Sequence, residues 1–580
     1  MTYFETFKVW QNSVDEKYRA EMDAIAKAGD KEIKERFSLP LAFGTAGMRG
    51  VIGMGIGNMN EYTVARATQG LAKFIQDEKA EESGVLISYD TRRMSFDFAL
   101  TAARVLGAAG VRVYLYEDVR PVPMCSFGVR HLGCKAGIMI TASHNPKEYN
   151  GYKVYGEDGA QMSPEATARV VAYIEKSDYF GIPRESVAAQ TQADVAGKDN
   201  FALSDRITVI GRSVDEKYYA ELAKLSLSPR EVAQVGASIK IVYSPLHGSG
   251  WKPVTTMLAR MGINVDVVEE QKLPDPEFST VSMPNPEQPE ALALGIKLAD
   301  KTGSDIVIGT DPDCDRMGIA VRDRQGAFVT LTGNQIGCLL MDYVLERSRA
   351  AGALPENAAV VKTIVTSRFA NRIAKDYGVK VYDVLTGFKF IGEKIKEWEA
   401  NAHRTFMFGF EESYGYLRGT HARDKDAVVA SMLAAELACY LKAHGKTVYD
   451  RLKELWEKYG YFCETSKSLV FKGLDGMEKM SAIMEKLRKN APVRLGDMDV
   501  KSVSDFSVSV KLYKDGKKEL INLPKANVLK YDLGGDMWAC VRPSGTEPKL
   551  KIYVSTVAAS AEESLALNKK VQEELVKETE

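Results

Sequence analysis

The run Thr141-Ala142-Ser143-His144-Asn145-Pro146 places a hydroxyl, an imidazole and an amide within a few positions, and Lys153 adds an amine shortly after. The apolar run Ala136 to Ile140 reads as a buried strand. Proline disfavours helix in the residue before it, so Ser143 falls on a sharp loop at the carboxyl end of that strand. Ligands of open α/β sheets bind there. A second short strand, Gly151 to Tyr155, carries Lys153 back toward the serine. An exposed serine of this kind is compatible with a hydrolase nucleophile. The Gly-x-Ser-x-Gly elbow is absent, however, and no motif positions a histidine–acid pair.

A second constellation changes that reading. Thr310-Asp311-Pro312-Asp313-Cys314-Asp315-Arg316 has three carboxylates at alternate positions after the apolar strand Asp305 to Gly309. In an extended loop alternate side chains share one side. Three negative charges together are costly unless a cation neutralises them, and hard oxygen ligands select Mg²⁺, Ca²⁺ or Mn²⁺. The loop lacks the glycine and glutamate of an EF-hand. A serine facing such a loop is better suited to carrying a phosphoryl group than to hydrolysis by a triad. Elsewhere, Phe43 to Gly50 surrounds Arg49 with glycines and suits an anion. Leu385-Thr386-Gly387-Phe388-Lys389 and Gly409-Phe410-Glu411-Glu412-Ser413-Tyr414-Gly415 follow apolar strands and suit sugar hydroxyls. Val541-Arg542-Pro543-Ser544-Gly545-Thr546 reads as a phosphate cradle of backbone N–H groups, hydroxyls and one guanidinium.

The elements that must position these loops alternate between strand and helix. Helices are expected over 65–78, 96–109 and from Ser163-Pro164, with strands over 85–88, 111–115 and 136–140. Residues 1–40 read as a solvated amphipathic cap, and 178–212 as a linker with one short helix. Asp90-Thr91-Arg92-Arg93 reads as a structural ion-pair corner. A second α/β unit spans strands 239–243 and 305–309; its Gly248-Ser249-Gly250 does not match a dinucleotide fingerprint. A third runs from about 325 to 455, closing with a long apolar helix after His421-Ala422-Arg423-Asp424-Lys425-Asp426. The last part differs. Phe506 to Leu512 alternates as a strand and Asp515-Gly516 marks a hairpin, giving an α+β domain. The expected boundaries are 1–205, 206–324, 325–458 and 459–580.

Bulk properties fit. The chain of 580 residues is long enough for several cores, and 45% apolar residues is ordinary for a globular protein. A net charge of −1 excludes a strongly basic nucleic-acid surface. No apolar run reaches membrane-spanning length, and the start does not read as a signal peptide. The seven cysteines (Cys125, Cys134, Cys314, Cys338, Cys439, Cys463 and Cys540) form no Cys-x-x-Cys pair. A cytoplasmic protein without disulfides or zinc is expected.

The Ser143 loop, the Asp-x-Asp-x-Asp-Arg loop, the Glu-Glu-Ser loop and the Arg-x-Ser-Gly-Thr-Glu-Pro loop occur in this order. Together they resemble the α-D-phosphohexomutase family, most of all its bacterial phosphoglucomutase members. The resemblance implies a heart-shaped, four-domain architecture of three similar mixed-sheet α/β domains plus a C-terminal α+β domain. It implies that Ser143 carries the phosphoryl group. Asp311, Asp313 and Asp315 would hold Mg²⁺ with Ser143. Lys153 and Arg49 would serve proton transfer and phosphoryl stabilisation, with His144 as hydrogen-bond support. Arg316, Thr386, Gly387, Lys389, Glu411, Ser413 and Lys425 would bind the substrate. Arg542, Ser544, Gly545 and Thr546 would grip the phosphate not being transferred. Tyr414-Gly415 stands where the dual glucose/mannose enzymes have Gly-His.

The implied reaction interconverts glucose 1-phosphate and glucose 6-phosphate through phosphoserine and glucose 1,6-bisphosphate. Phosphomannomutase and phosphopentomutase remain alternatives within the family. A metal-dependent sugar phosphatase and a non-catalytic sugar-phosphate sensor remain alternatives outside it. Lys153 could accept the hydroxyl proton if burial and nearby cations lower its pKa. A phosphosugar is the expected partner, without nucleic acid or membrane, for a monomer or weak homo-oligomer.

Overall fold

The computed structural model describes residues 1–44, 47–471, 476–544 and 549–579. Gly545 and Thr546 of the expected phosphate cradle lie outside the described residues. The chain divides into two compact units. One comprises 1–331, 391–401 and 414–445, the other 332–390, 402–413 and 446–580.

The first unit holds two mixed sheets. In one the strand order is Met48–Val51, Tyr149–Gly156, Ala136–Ile140, Val85–Tyr89, Val113–Tyr116, Ile207–Ile210 and Phe201–Ala202. Its four central strands are parallel and every residue of Ala136–Ile140 is buried, the continuous apolar pattern a covered sheet requires. Helices Glu61–Asp77, Ser95–Ala108 and Val122–Leu132 cover it. Asn60 caps the first, accepting from the N–H groups of Tyr62 and Thr63. The sheet runs past the boundary expected at 205. Residues 178–212, expected to be a linker with one short helix, contribute Ile207–Ile210 to it, paired in parallel with Val113–Tyr116. That strand is only four residues long, too short to show periodicity.

The second sheet has the order Phe328–Thr330, Met317–Arg322, Ile306–Thr310, Ile241–Ser244 and Val265–Val267. Ile306–Thr310 and Met317–Arg322 form an antiparallel hairpin whose connection is the three-aspartate loop. The N-terminal cap is three helices, Tyr3–Ser13, Arg19–Ala28 and Asp30–Phe37. Their apolar faces close on Trp10, which meets Phe37, Tyr62, Tyr179 and Phe180 edge-on.

In the second unit Lys380–Val384, Ala358–Thr363 and Thr405–Glu411 lie side by side in parallel. An antiparallel sheet follows, ordered Tyr461–Val470, Lys549–Ala558, Met537–Pro543, Leu529–Gly534, Ser502–Asp505, Val510–Tyr513 and Lys518–Leu520. Helices Gly476–Lys489 and Ala561–Glu578 pack with it, so the C-terminal part is α+β. The single strand expected over 506–512 is instead split: 506–509 form a turn, and 510–512 belong to the strand Val510–Tyr513. Phe506 is buried and Ser509 adopts φ +57°, breaking the ladder despite the alternating pattern. The hairpin at Asp515-Gly516 is present. Among the described residues all seven cysteines are free, and no single helix is long and apolar enough to cross a membrane.

Gly47 ties a functional strand to the first sheet. Its φ is +79°, and a Cβ there would sit 1.9 Å from the Tyr152 carbonyl oxygen. Gly47→Ala must therefore shift the strand that carries Arg49. We expect a loss of roughly 2 kcal/mol or more in a urea titration, from positive-φ strain plus the clash.

Candidate active site

Ser143 sits where the Ala136–Ile140 strand turns back into Tyr149–Gly156. The Thr141 hydroxyl accepts from the Ser143 N–H at 2.8 Å, and the Asn145 N–H donates to the Ala142 carbonyl. The turn leaves Ser143 in the left-handed region, φ +53°, which is uncommon for a residue with a Cβ. Arg92 holds it there. Its buried guanidinium donates to the carbonyls of Ser143 and Asn145 at 2.5 Å, of Pro146 at 2.8 Å and of Tyr149 at 3.2 Å. Asp90 lies 3.4 Å from the Arg92 Nε. The ion-pair corner read from the sequence is thus structural, and what it holds is the serine loop.

The three aspartates come together. One oxygen from each of Asp311, Asp313 and Asp315 lies within 4.8 Å of the other two, and all three residues are buried. The N–H groups of Asp315 and Arg316 donate to Asp311 Oδ1 at 3.1 and 3.0 Å, curling the loop around its first carboxylate. Cys314 has φ +50°. Its sulfur would be 2.8 Å from a Cβ built on Gly250, so it faces that glycine. The Asp313 carbonyl accepts from the Val122 N–H at 2.9 Å, docking the loop on the start of helix Val122–Leu132.

Ser143 faces this cluster. Its Oγ donates to Asp311 Oδ2 at 2.9 Å and lies 3.2 Å from His144 Nδ1. Lys153, on the returning strand, donates to Asp313 Oδ2 at 2.8 Å and is 3.6 Å from Asp315. Lys425 lies 3.1 Å from both Asp315 and Asp424. Arg49 pairs across from Gly151 and donates to Asn145 Oδ1 at 3.1 Å. Arg316 is ion-paired to Glu287. Thus Ser143, His144, Lys153, Arg49, the three aspartates, Arg316 and Lys425 all belong to the first unit and gather around two loops.

The electrostatics are those of crowded carboxylates. Burial, then the charges of Asp313 and Asp315, push Asp311 well above the usual carboxylate range. Burial works to raise Asp313 too, but Lys153 outweighs it and holds Asp313 below that range. Asp315 is raised by burial and by Asp313. His144 is pushed well down by burial and by Arg316 and Arg49, so it is a neutral hydrogen-bonding group. The expectation that Lys153 has a lowered pKa is not met. Burial acts that way, but Asp313 and Asp315 outweigh it and raise the amine. The groups nearest Lys153 are carboxylates rather than cations.

The cluster fits a divalent cation. Asp313 Oδ1 and Asp315 Oδ1 are buried without a hydrogen-bond partner, a cost that a coordinated ion removes.

In the second unit the Gly387 N–H donates to Glu411 Oε1 at 2.8 Å, so the Thr386-Gly387 turn and the end of the Thr405–Glu411 strand meet. Gly387 has φ +117°, a glycine conformation. The Lys389 amine lies over the Phe390 ring at 4.9 Å. Glu412 accepts from the hydroxyls of Thr363 and Thr366, and Ser413 follows it. Arg542 is on strand Met537–Pro543, and the next residue, Ser544, donates its N–H to the Lys549 carbonyl.

Three contributors were not singled out as site residues from sequence. Arg92 and Thr141 act on backbone carbonyls and an N–H, which no side-chain pattern reveals. Asp424 accepts from Tyr155 Oη at 3.0 Å and from Lys425. Its position beside Lys425 was the available signal.

The phosphoglucomutase/phosphomannomutase family models match in succession: α/β/α domain I over residues 40–180, domain II over 216–326 and domain III over 332–459. The chain belongs to this family, the α-D-phosphohexomutases. It is 38% identical to a phosphoglucomutase of Staphylococcus haemolyticus, over 90% of this chain and 91% of that one. It is also 38% identical to a phosphoglucomutase of Staphylococcus aureus strain USA300, over 91% of each chain. Solved structures that share its fold include the following two. One is the phosphoprotein pp63/parafusin (phosphoglucomutase) of Paramecium, with TM-score 0.68 and 17% identity, covering 93% of this chain and 95% of that one. The other is a family protein from Burkholderia thailandensis, with TM-score 0.65 and 17% identity, covering 92% and 97%.

Two outcomes follow. Mg²⁺ or Mn²⁺ at about a hundred times its dissociation constant should stabilise the folded chain by about 2.7 kcal/mol in calorimetry. Asp313→Asn should abolish that increment. Arg92→Ala leaves Asp90 and four carbonyls without their cation, so its unfolding free energy should fall by roughly 3–5 kcal/mol. An unchanged urea midpoint would refute that role.

Proposed function

We propose that this protein is a phosphoglucomutase, interconverting glucose 1-phosphate and glucose 6-phosphate through phosphoserine 143 and glucose 1,6-bisphosphate. The observation that carries the reading is Ser143 Oγ at 2.9 Å from Asp311, inside a cluster of three buried carboxylates. A serine hydroxyl bonded to a metal-type carboxylate cluster is placed to exchange a phosphoryl group.

Asp311, Asp313 and Asp315, with a phosphorylated Ser143, are the proposed Mg²⁺ ligands. The ion, when bound, neutralises oxygen charge on the transferring group. Arg49 does the same from the side of Asn145. Lys153 is protonated where it stands and so starts as an acid. It gives its proton to Ser143 Oγ as that oxygen leaves the phosphoryl group, and the proton shed by the attacking sugar hydroxyl restores the amine; the reverse step runs the same exchange backward. His144, neutral, orients the serine hydroxyl, and Lys425 and Arg316 are assigned to substrate. Thr386, Gly387, Lys389, Glu411 and Ser413 are assigned to sugar hydroxyls. Arg542, Ser544, Gly545 and Thr546 are assigned to the phosphate that stays in place, in either orientation of the bisphosphate.

Supplied with trace bisphosphate, the enzyme should convert glucose 1-phosphate to glucose 6-phosphate without releasing free phosphate. Release of free phosphate as the main product would overturn the reading in favour of a phosphatase. Ser143→Ala should lose roughly three or more orders of magnitude in kcat while still binding glucose 6-phosphate, as expected of a deleted nucleophile. Kinetics on glucose, mannose, glucosamine and ribose 1-phosphates decide the sugar.

A further inference from the structure

The first unit carries a groove that neither the aspartate cluster nor the serine loop uses. Its volume is about 520 Å³, within the range of small-molecule sites. Phe127, Arg130 and His131 of helix Val122–Leu132 form one wall; Lys217, Ala220 and Glu221 of helix Arg212–Ala223 form another. Thr420 and His421 form the third.

The groove is separate from the proposed catalytic centre. The Val122 N–H docks on the Asp313 carbonyl, so the start of its helix faces the metal loop. Arg130 and His131 lie at the other end, about 12 to 14 Å away at the usual rise per residue.

Its chemistry is that of an anion site with an aromatic floor. The Lys217 amine is exposed and has no carboxylate partner among the described residues. Arg130 donates to the carbonyls of Thr420 and His421, and lies 3.7 Å from Glu399. Of the three carboxylates nearby, Glu221 is matched by Lys224 at 2.7 Å and Glu399 by Arg423, while Asp426 is buried behind the His421 ring and accepts from Tyr218 Oη. That leaves Lys217 and Arg130 in excess, and excess cations in a concave wall attract phosphate. His131 stacks on Phe127, with centroids 5.3 Å apart and planes at 10°. Tyr218 meets both Phe127 and His421 edge-on. The His421 side chain is only 4% exposed; its Nε2 is 2.8 Å from Asp426, while its Nδ1 has no partner. A buried polar atom without a partner calls for explanation, and a bound ligand or water supplies one.

We propose that this groove binds a small phosphate ester, with Lys217 and Arg130 facing the phosphate and the His131–Phe127 stack under the body of the molecule. Its effect reaches the catalytic centre through residues 420–426. His421 and Arg130 hold the start of that segment. Asp426 caps the long helix after it, and Lys425 contacts Asp315. An occupant therefore acts on the setting of Lys425 without touching substrate.

The test is calorimetric titration of the full chain with inorganic phosphate, adenosine monophosphate and glucose 6-phosphate in turn. Wild type should show one more equivalent of binding than Lys217→Glu for at least one probe, or an affinity about tenfold higher or more for that equivalent. Phosphate alone, nucleotide or sugar phosphate giving the difference identifies what the floor recognises. Lys217 is exposed and lies outside the catalytic set, so basal activity of the variant should equal that of wild type. Identical stoichiometry and affinity in wild type and variant for all three probes would overturn the proposal, whatever the enzyme's substrate proves to be.

Discussion

Mutual repulsion among Asp311, Asp313 and Asp315 is the constraint on which the rest of the first unit depends. Three buried carboxylates with oxygens within 4.8 Å of one another are unstable unless positive charge is brought to them. The fold brings it from distant stretches of chain. Lys153 arrives on an antiparallel strand of the first sheet, and Lys425 on a loop more than a hundred residues past the aspartates. Backbone N–H groups of Asp315 and Arg316 neutralise part of Asp311. Asp424 keeps the balance from overshooting, since it faces Lys425 and Tyr155.

This arrangement makes the proton chemistry and the ion chemistry one problem. Asp313 is held ionised by Lys153, and Lys153 is held protonated by Asp313 and Asp315. Positive charge entering the cluster weakens the hold of the carboxylates on the amine. A lysine that is an acid beside bare carboxylates thus becomes more willing to part with its proton when the cluster is neutralised. Geometry alone, with no group of unusual intrinsic pKa, supplies the acid–base partner proposed above.

Legibility from sequence followed how local each feature was. The Ser143 loop, the aspartate hairpin and the Glu411 loop were readable because each is a short motif after an apolar strand. Strand Ala136–Ile140 and helix Pro164–Lys176, with its Ser163 cap, came out where periodicity and capping put them. Arg92 was readable as a corner but not as the clamp of the serine loop, because its partners are carbonyls about 50 to 57 residues away. The direction of the Lys153 shift required knowing which charge sits closest, which sequence does not state. Ile207–Ile210 was missed because a four-residue strand carries almost no periodic signal, and the turn after Asp505 because the alternation over 506–512 runs straight across it.

The backbone at Ser143 has a consequence for the choice of amino acid itself. At φ +53° a β-branched side chain crowds its own backbone, so threonine is a poor replacement even though its hydroxyl is chemically equivalent. The proposed phosphoryl acceptor, Ser143, is restricted to an unbranched alcohol by the shape of the chain. The same curl that aims the oxygen at Asp311 makes serine and threonine unequal at this position.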